Sequence, residues 1–316
     1  MPKAAVVFNP TKVTRDQLAS VVDPLLEQAG YEPALWLETE ADSPGTLQAR
    51  EAVTRGSDLV FAVGGDGTVR SVAEGLEGSG VPMALVPQGT GNLLAHELDL
   101  PVGDTAASFR LGLSWERRPI DLGIATWTRP DGTSERRAFT VMAGMGLDAR
   151  IMSSTDEELK KKVGVLAYVK AGVEALREGR RMTMQYRVDG GEAKIAKVHT
   201  LLVGNVGTIA KGVTLMPDAS LADGALDVVA VRPRGPIGWL LVAWRVLVDN
   251  AFLRRLKPGR LRDRDDNARE LRYLQCAELD VVLREPEDVE LDGDFFGEID
   301  AVRIEVQPGA LTVVVP

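Results

Sequence analysis

The sequence is short of the residues that make cross-links and metal cages. Among its 316 residues there are one cysteine, Cys276, and two histidines, His96 and His199. A single thiol excludes a disulfide framework and fits a reducing compartment. So few thiols and imidazoles also leave no material for a zinc site or for a Cys–His or Ser–His catalytic pair. Positive charge is in deficit too, with a net charge of −9. Nucleic-acid backbones are gripped by cationic faces, which argues against nucleic acid as the main partner. Long apolar runs are missing. The most apolar stretch, Pro236–Val248, is interrupted by Arg245 and followed by Asp249, so it is too short and too charged to cross a bilayer. No N-terminal leader shows, because Met1-Pro2-Lys3 leads directly into the strand-like Ala4–Phe8. A cytoplasmic protein is expected.

What the chain does have is an ordinary globular composition, 45% hydrophobic and 26% charged, and length for two domains with sizeable cores. It also has two glycine-rich runs. Gly64-Gly65-Asp66-Gly67-Thr68 follows the apolar Asp58–Val63 and opens a helical run, Val69–Leu76. Pro87-Gln88-Gly89-Thr90-Gly91-Asn92 follows the strand Met83–Val86 and opens another helix, Leu93–Leu98. Such a loop leaves backbone N–H groups unpaired at the positive end of a helix, where phosphate oxygens accept from them. Two of them at the carboxyl ends of successive strands mark the ligand-binding edge of an open α/β sheet.

Strands and helices alternate up to about residue 123, through Ala4–Phe8, Arg15–Ala29, Glu32–Leu37, Gly45–Arg55, the two glycine units and Asp104–Leu113. That pattern predicts a layered, mostly parallel α/β domain over 1–123. Beyond it, strands dominate: Ile124–Thr128, Arg137–Ala143, Met182–Val188, Val198–Val203, Leu226–Val231, Leu279–Leu283, Val289–Leu291, Val302–Val306 and Leu311–Val315. Asp131-Gly132 marks a hairpin between the first two. Helices are expected over Asp156–Arg180 and Ile237–Leu256, the latter with an apolar stripe of Ile237, Leu241, Trp244, Val248 and Phe252, and a charged loop over Arg254–Asp266. A second, mostly antiparallel β domain follows over 124–306, with the last strand, about 307–316, a candidate to return to the first domain.

The common nucleotide signatures fail. There is no P-loop motif, and Arg70 and Leu94 stand where G-x-G-x-x-G would need its third glycine. However, Asn9-Pro10, Gly64-Gly65-Asp66-Gly67-Thr68, Gly89-Thr90-Gly91-Asn92, Ile120-Asp121-Leu122-Gly123 and Asp292-Gly293-Asp294 occur in this order. In this the chain resembles the diacylglycerol kinase and sphingosine kinase family of lipid kinases, above all its soluble bacterial branch. The resemblance implies an N-terminal α/β nucleotide domain and a C-terminal β-sandwich with lipid held between them. It implies ATP as phosphoryl donor, Mg²⁺ bridging its phosphates, and a diacylglycerol- or sphingoid-like lipid as acceptor.

Carried over by position, Asn9, Pro10, Thr11, Lys12 and Thr39 would line the nucleotide. The run Gly64, Gly65, Asp66, Gly67, Thr68, Val69, Arg70, Ser71 and the run Gly89, Thr90, Gly91, Asn92 would complete its pocket. Asp66 and Asp121 would organise Mg²⁺, Asp294 would be the general base and Asp292 its supporting acid. Ser220, Asp223 and Ala225 match a family segment that holds a structural divalent ion. The chain departs from the family where Arg70-Ser71 replace the frequent Asn-Glu, where Thr11-Lys12-Val13 follow Asn9-Pro10, and where Asp294 replaces the commoner Glu. Arg70 is then a candidate phosphate contact.

Plainer readings stand beside these. Asp292-Gly293 and Asp223-Gly224 are also turn signals, and Asp121 also suits the cap of a strand. The 237–256 stripe suits a core. With Trp239, Trp244 and Phe252 followed by Arg254, Arg255, Lys257, Arg260 and Arg262, it also suits peripheral contact with the inner membrane face. Two other functions remain open: a kinase for a soluble hydroxyl substrate such as NAD, and a nucleotide-binding sensor without catalysis. Nothing in the sequence sets an oligomeric state.

Overall fold

Four short apolar runs and five helices build the first third of the chain, seen in a computed structural model that describes residues 1–114, 116–146, 181–210, 213–232 and 271–316. The strands β1 (Ala4–Phe8), β2 (Leu35–Glu38), β3 (Leu59–Gly64) and β4 (Met83–Pro87) pair in parallel, in the spatial order β4-β3-β1-β2. Every residue of β1, β3 and β4 is buried, as a sheet covered on both faces requires. On one face lie α1 (Arg15–Gln28) and α5 (Thr105–Gly112), packing Leu18, Val22, Leu26 and Phe109 on Val6, Phe8, Phe61 and Val86. On the other lie α2 (Thr46–Thr54), α3 (Asp66–Leu76) and α4 (Leu93–Glu97), through Ala49, Ala52, Val72, Leu76 and Leu94. Local signals fix the starts. Thr14 and Gln17 form a capping box on α1, and the Asp104 carboxylate accepts from Ala107 N to open α5.

From residue 117 the chain is β. In order come β5 (Arg117–Thr128), β6 (Ser134–Phe139), β7 (Met142–Gly146), β8 (Met182–Val188), β9 (Lys194–Val198), β10 (Thr200–Gly204), β11 (Thr208–Ala210), β12 (Val213–Thr214), β13 (Leu226–Val231), β14 (Leu271–Cys276), β15 (Glu278–Leu291) and β16 (Asp294–Val314). Their pairings are antiparallel apart from one contact of β16 with β4. β15 and β16 are long enough to serve two layers. β15 carries β7 at one end and β8 at the other, and β16 carries β5. Trp127, Phe139, Met145, Val203, Leu279, Val289 and Ile304 fill the space between these layers, which makes this part a β-sandwich. The architecture is thus α/β followed by β-sandwich.

The end of β16 crosses back. Beyond a bulge between Gln307 and Leu311, its Val313 pairs with Met83 of β4 and also faces Arg118 of β5. One 14-stranded sheet therefore runs through both parts, in the order β14-β13-β10-β7-β15-β16-β4-β3-β1-β2 with β5, β6, β8 and β9 branching off.

Several boundaries differ from expectation. The predicted strand 137–143 is two strands, β6 and β7, broken at Thr140-Val141 because those amides donate to Asp292 instead of to a ladder. The separate strands expected at 279–283 and 289–291 are one, as are those at 302–306 and 311–315. The expected helices over 156–180 and 237–256, with the latter's apolar stripe and aromatic–cationic surface, and the loop 254–266 lie outside the described residues. Among the described residues no helix is long and apolar enough to cross a membrane.

Candidate active site

The four parallel strands end side by side, and the loops that follow them share one edge. After β1, Asn9 N donates to Val63 O, and its side-chain Oδ1 accepts from Thr11 N at 2.9 Å and Thr11 Oγ1 at 2.7 Å. Pro10, Thr11 and Lys12 project into solvent. Thr39, buried after β2, donates its N–H to Phe8 O. After β3 comes the first glycine run, with Gly65 at the cap of α3, and after β4 the second.

The two runs touch. Gln88 N donates to Gly64 O, and a Cβ on Gly89 would lie 2.6 Å from Gly65 Cα. No side chain fits at that crossing. Asp66 then ties the runs together: its Oδ2 accepts from Asn92 N at 2.8 Å and its Oδ1 from Leu93 N at 2.7 Å. Asn92, in the left-handed region at φ 48°, holds its own loop closed by accepting from Gly89 N and donating to Gly89 O. Burial pushes the Asp66 carboxyl above the ordinary range, the Leu93 and Asn92 amides oppose that, and the charge of Asp294 adds to it. Thr68, Val69 and Ser71 are buried in α3, whereas Thr90 and Gly91 are exposed at the edge.

Asp294 arrives from the other side of the molecule. The β15–β16 hairpin turns at Asp292-Gly293, both at positive φ (49° and 89°), the geometry a tight two-residue hairpin requires. Asp292 is buried, with Oδ2 accepting from Thr140 N and Oγ1 and Oδ1 accepting from Val141 N and Met142 N, all at 2.7–2.9 Å. Burial raises its carboxyl, against the opposing pull of the Thr140 and Met142 amides and the nearby Arg70. Asp294 is 44% exposed in its side chain and accepts from Arg70 Nη2 at 3.0 Å through Oδ2. It lies over the first turn of α3, where a Cβ on Gly67 would come within 2.6 Å of Oδ2. The structure thus gathers the first glycine run, Asp66, Asn92, Arg70 and Asp294 at one place, with Asp292 beneath.

Three of the expected site residues have partners of their own. Asp121, expected to help organise Mg²⁺, is buried in β5, accepts from Gly224 N and Gly309 N, both at 2.8 Å, and among the described residues has no hydrogen bond to either glycine run. Its carboxylate closes backbone donors that a turn and a bulge leave unpaired. Arg70 is not a free phosphate contact, because its fork points to Asp294 and, at 3.9 Å, to Glu74 Oε2. Among the described residues the hydrogen bonds of Asp292 come from backbone amides and the Thr140 hydroxyl, and these hold the hairpin to the break between β6 and β7.

At the second proposed ion segment, Asp223 Oδ1 accepts from Ala225 N at 3.2 Å and Ser220 Oγ from Ala222 N at 3.4 Å. Asp227 beside it has its carboxyl raised to about 6, by burial first and then by the charges of Asp223 and Asp218. Among the described residues no group of three or more His, Cys, Asp or Glu side chains is arranged to hold a metal.

Some members of the site escaped the sequence reading. Glu74, one turn past Arg70, accepts from Ala138 N at 3.0 Å, and Asn205 donates to Asp121 O and Thr140 O. Asn205 had a signal: a polar residue closing the apolar run Thr200–Val206, where every residue is buried.

Known proteins carry the same pattern. A diacylglycerol kinase catalytic domain model matches residues 3–125, and a YegS C-terminal NAD kinase beta sandwich-like domain model matches residues 141–315. A diacylglycerol kinase of Bacillus subtilis is 29% identical over 304 residues, covering 94% of this chain and 91% of its own. A probable lipid kinase YegS-like protein of Pseudomonas aeruginosa is 31% identical over 299 residues, covering 92% and 86%. Among solved structures, a putative diacylglycerol kinase from Bacillus anthracis superposes with a TM-score of 0.73 at 20% identity, covering 99% of this chain and 95% of that one. An NAD kinase from Archaeoglobus fulgidus in complex with ATP gives 0.53 at 12%, covering 98% and 93%, a likeness of fold.

Proposed function

Because this chain belongs to the diacylglycerol kinase and YegS-like family of lipid kinases, we propose that it transfers the γ-phosphoryl group of ATP to the hydroxyl of a diacylglycerol- or sphingoid-like lipid. It is a phosphotransferase with an alcohol group as acceptor. One observation carries the mechanism: a half-exposed carboxylate, Asp294, stands over the first turn of α3, where the first glycine loop opens the helix and the second crosses it. The loops would present to phosphate those backbone N–H groups not already bonded, and at the close Gly65–Gly89 crossing no side chain fits. Asn9, Pro10, Thr11, Lys12 and Thr39 would flank the nucleotide from the neighbouring strand ends. Asp294 would accept the lipid hydroxyl proton as the oxygen attacks, yielding ADP and a lipid phosphate monoester.

The residues fit a magnesium ion, which needs oxygen donors, keeps several waters and takes one or two carboxylates beside the phosphates. Asp66 is the carboxylate placed for this, since each of its oxygens already receives one amide and retains a second lone pair. The ion would neutralise charge on the phosphates. The 220–225 segment offers the oxygen-only donors that a structural divalent ion prefers, the Asp223 carboxylate with carbonyls near Ser220 and Ala225. In this reading residues 1–123 form the nucleotide domain and 124–306 the lipid domain, and the protein works at the inner membrane face.

The test is transfer of labelled γ-phosphate from ATP-Mg²⁺ into a total lipid extract in mixed micelles. A labelled lipid is expected, falling by at least about 100-fold in Asp294→Asn. Label appearing only in added NAD would replace the lipid with a soluble acceptor. ATP binding with no transfer would leave a nucleotide sensor.

A further inference from the structure

A buried arginine stands between the helix that opens at the glycine loop and the carboxylate read above as the base. Arg70 is 4% exposed in its side chain, one turn into α3 from Asp66. Its Nη2 donates to Asp294 Oδ2 at 3.0 Å, its Nη1 lies 3.9 Å from Glu74 Oε2, and its guanidinium carbon sits 5.0 Å from the Phe296 ring centre. Phe296 in turn packs on Trp127, ring centres 5.4 Å apart. Glu74 is itself fixed by Ala138 N and Thr46 Oγ1. The cation is therefore held from three sides, by the buried Glu74 and by the partly exposed Phe296 and Asp294.

As a stabilising device this is a poor arrangement. Among the described residues the buried Arg70 Nε has no acceptor, the Glu74 contact is long, and the short bond goes to a half-exposed partner. Burying an ion pair costs several kcal/mol of desolvation, about as much as its attraction returns, and an apolar side chain would fill the space as well. What the arrangement does achieve is orientation. It pins Oδ2 down over Gly67, and among the described residues Oδ1 accepts no hydrogen bond.

Resting on the reading of Asp294 as the base, we infer that Arg70 is a positioning residue: it fixes Asp294 so that Oδ1 alone faces the acceptor hydroxyl. One rigid helix then holds the phosphates with its first turn and the proton acceptor with its second. The separation between donor and base is set by α3 and not by how the two halves of the molecule happen to settle.

The experiment uses the full chain, ATP-Mg²⁺ and the dispersed lipid extract, and measures turnover and, separately, ATP affinity by calorimetry. Arg70→Met should lower turnover about 100-fold while leaving the ATP Kd within about twofold, and Arg70→Lys, which keeps the charge, should restore part of the loss. Because Arg70→Met strands the Glu74 carboxylate, Arg70→Met with Glu74→Gln is made alongside. That pair should melt like the wild type and stay slow; recovery of full turnover would show that Arg70 only serves Glu74. An ATP Kd weakened tenfold with turnover per bound nucleotide intact would make Arg70 a phosphate contact and overturn the inference. So would unchanged turnover in Arg70→Met while Asp294→Asn is inactive. Full turnover in Asp294→Asn would instead remove the base, and this inference with it.

Discussion

Both carboxylate oxygens of Asp292 point inward, to four donors on the break between β6 and β7. Asp292→Ala would leave three buried amides bare, so a loss of about 3 kcal/mol in urea unfolding is expected. Asn is no cure there, because its amide nitrogen would face amide donors. Asp227 gives a pH signature. Its folded-state value of about 6 exceeds the ordinary 3.8, so its neutral form favours the fold. That contribution is full below about pH 4 and is lost as pH rises through about 6. Asp227→Asn, which keeps the Gln275 Nε2 donor satisfied, should therefore gain in melting temperature over the wild type from pH 4 to 6 in chelating buffer. A difference that stays constant across that range would contradict the assignment. At this scale the sequence singled out four acids but not what each touches. Asp66, Asp121, Asp292 and Asp294 all read as site acids, yet three of them close backbone amides and one is left partly bare. Composition around an Asp does not say whether a distant amide will arrive.

Among elements, α3 was the most legible: a buried strand, glycines, then an apolar helical run. Its start was read late, at Val69 where the helix begins at Asp66, because Gly67 has poor intrinsic propensity and the tertiary setting overrides that. The two loops should respond differently to a methyl group. Gly89→Ala drives Cβ onto the Gly65 backbone at 2.6 Å, which cannot yield, so a loss of about 2 kcal/mol or more is expected in thermal unfolding. Gly67→Ala meets first the end of the Asp294 side chain, with Oδ2 at 2.6 Å. It should leave stability within about 0.5 kcal/mol yet lower kcat about tenfold by moving that carboxylate. Equal effects on stability from the two changes would refute this division. The β6–β7 break was illegible, since its cause lies on another hairpin. The long β15 and β16 were read in pieces because polar residues interrupt runs that pairing joins.

At the scale of the molecule, β16 belongs to both halves, and Asp121 guards its passage. The bulge between Gln307 and Leu311 offers Gly309 N, which donates to Asp121, as does the amide of the Gly224 turn. Asp121→Ala should lose about 2 kcal/mol with the ATP Kd unchanged; a weakened Kd would return Asp121 to the nucleotide. The alternation of strands and helices made the division into α/β and β visible in the sequence. The last strand, about 307–316, was a candidate to return to the first domain, but that Leu311–Val314 would lie between β4 and β5 followed from no local pattern, since pairing over such separation leaves no mark in either segment. It has a consequence for the order of events during synthesis. The glycine loops leave the ribosome early, but the strand that covers β4 is made long afterwards. Until it docks, β4, a fully apolar strand of the nucleotide sheet, has an open edge, and pairs so distant in sequence are slow to close. The emerging N-terminal half is a template waiting for its last partner, and it is in that interval that a chaperone would have most to do.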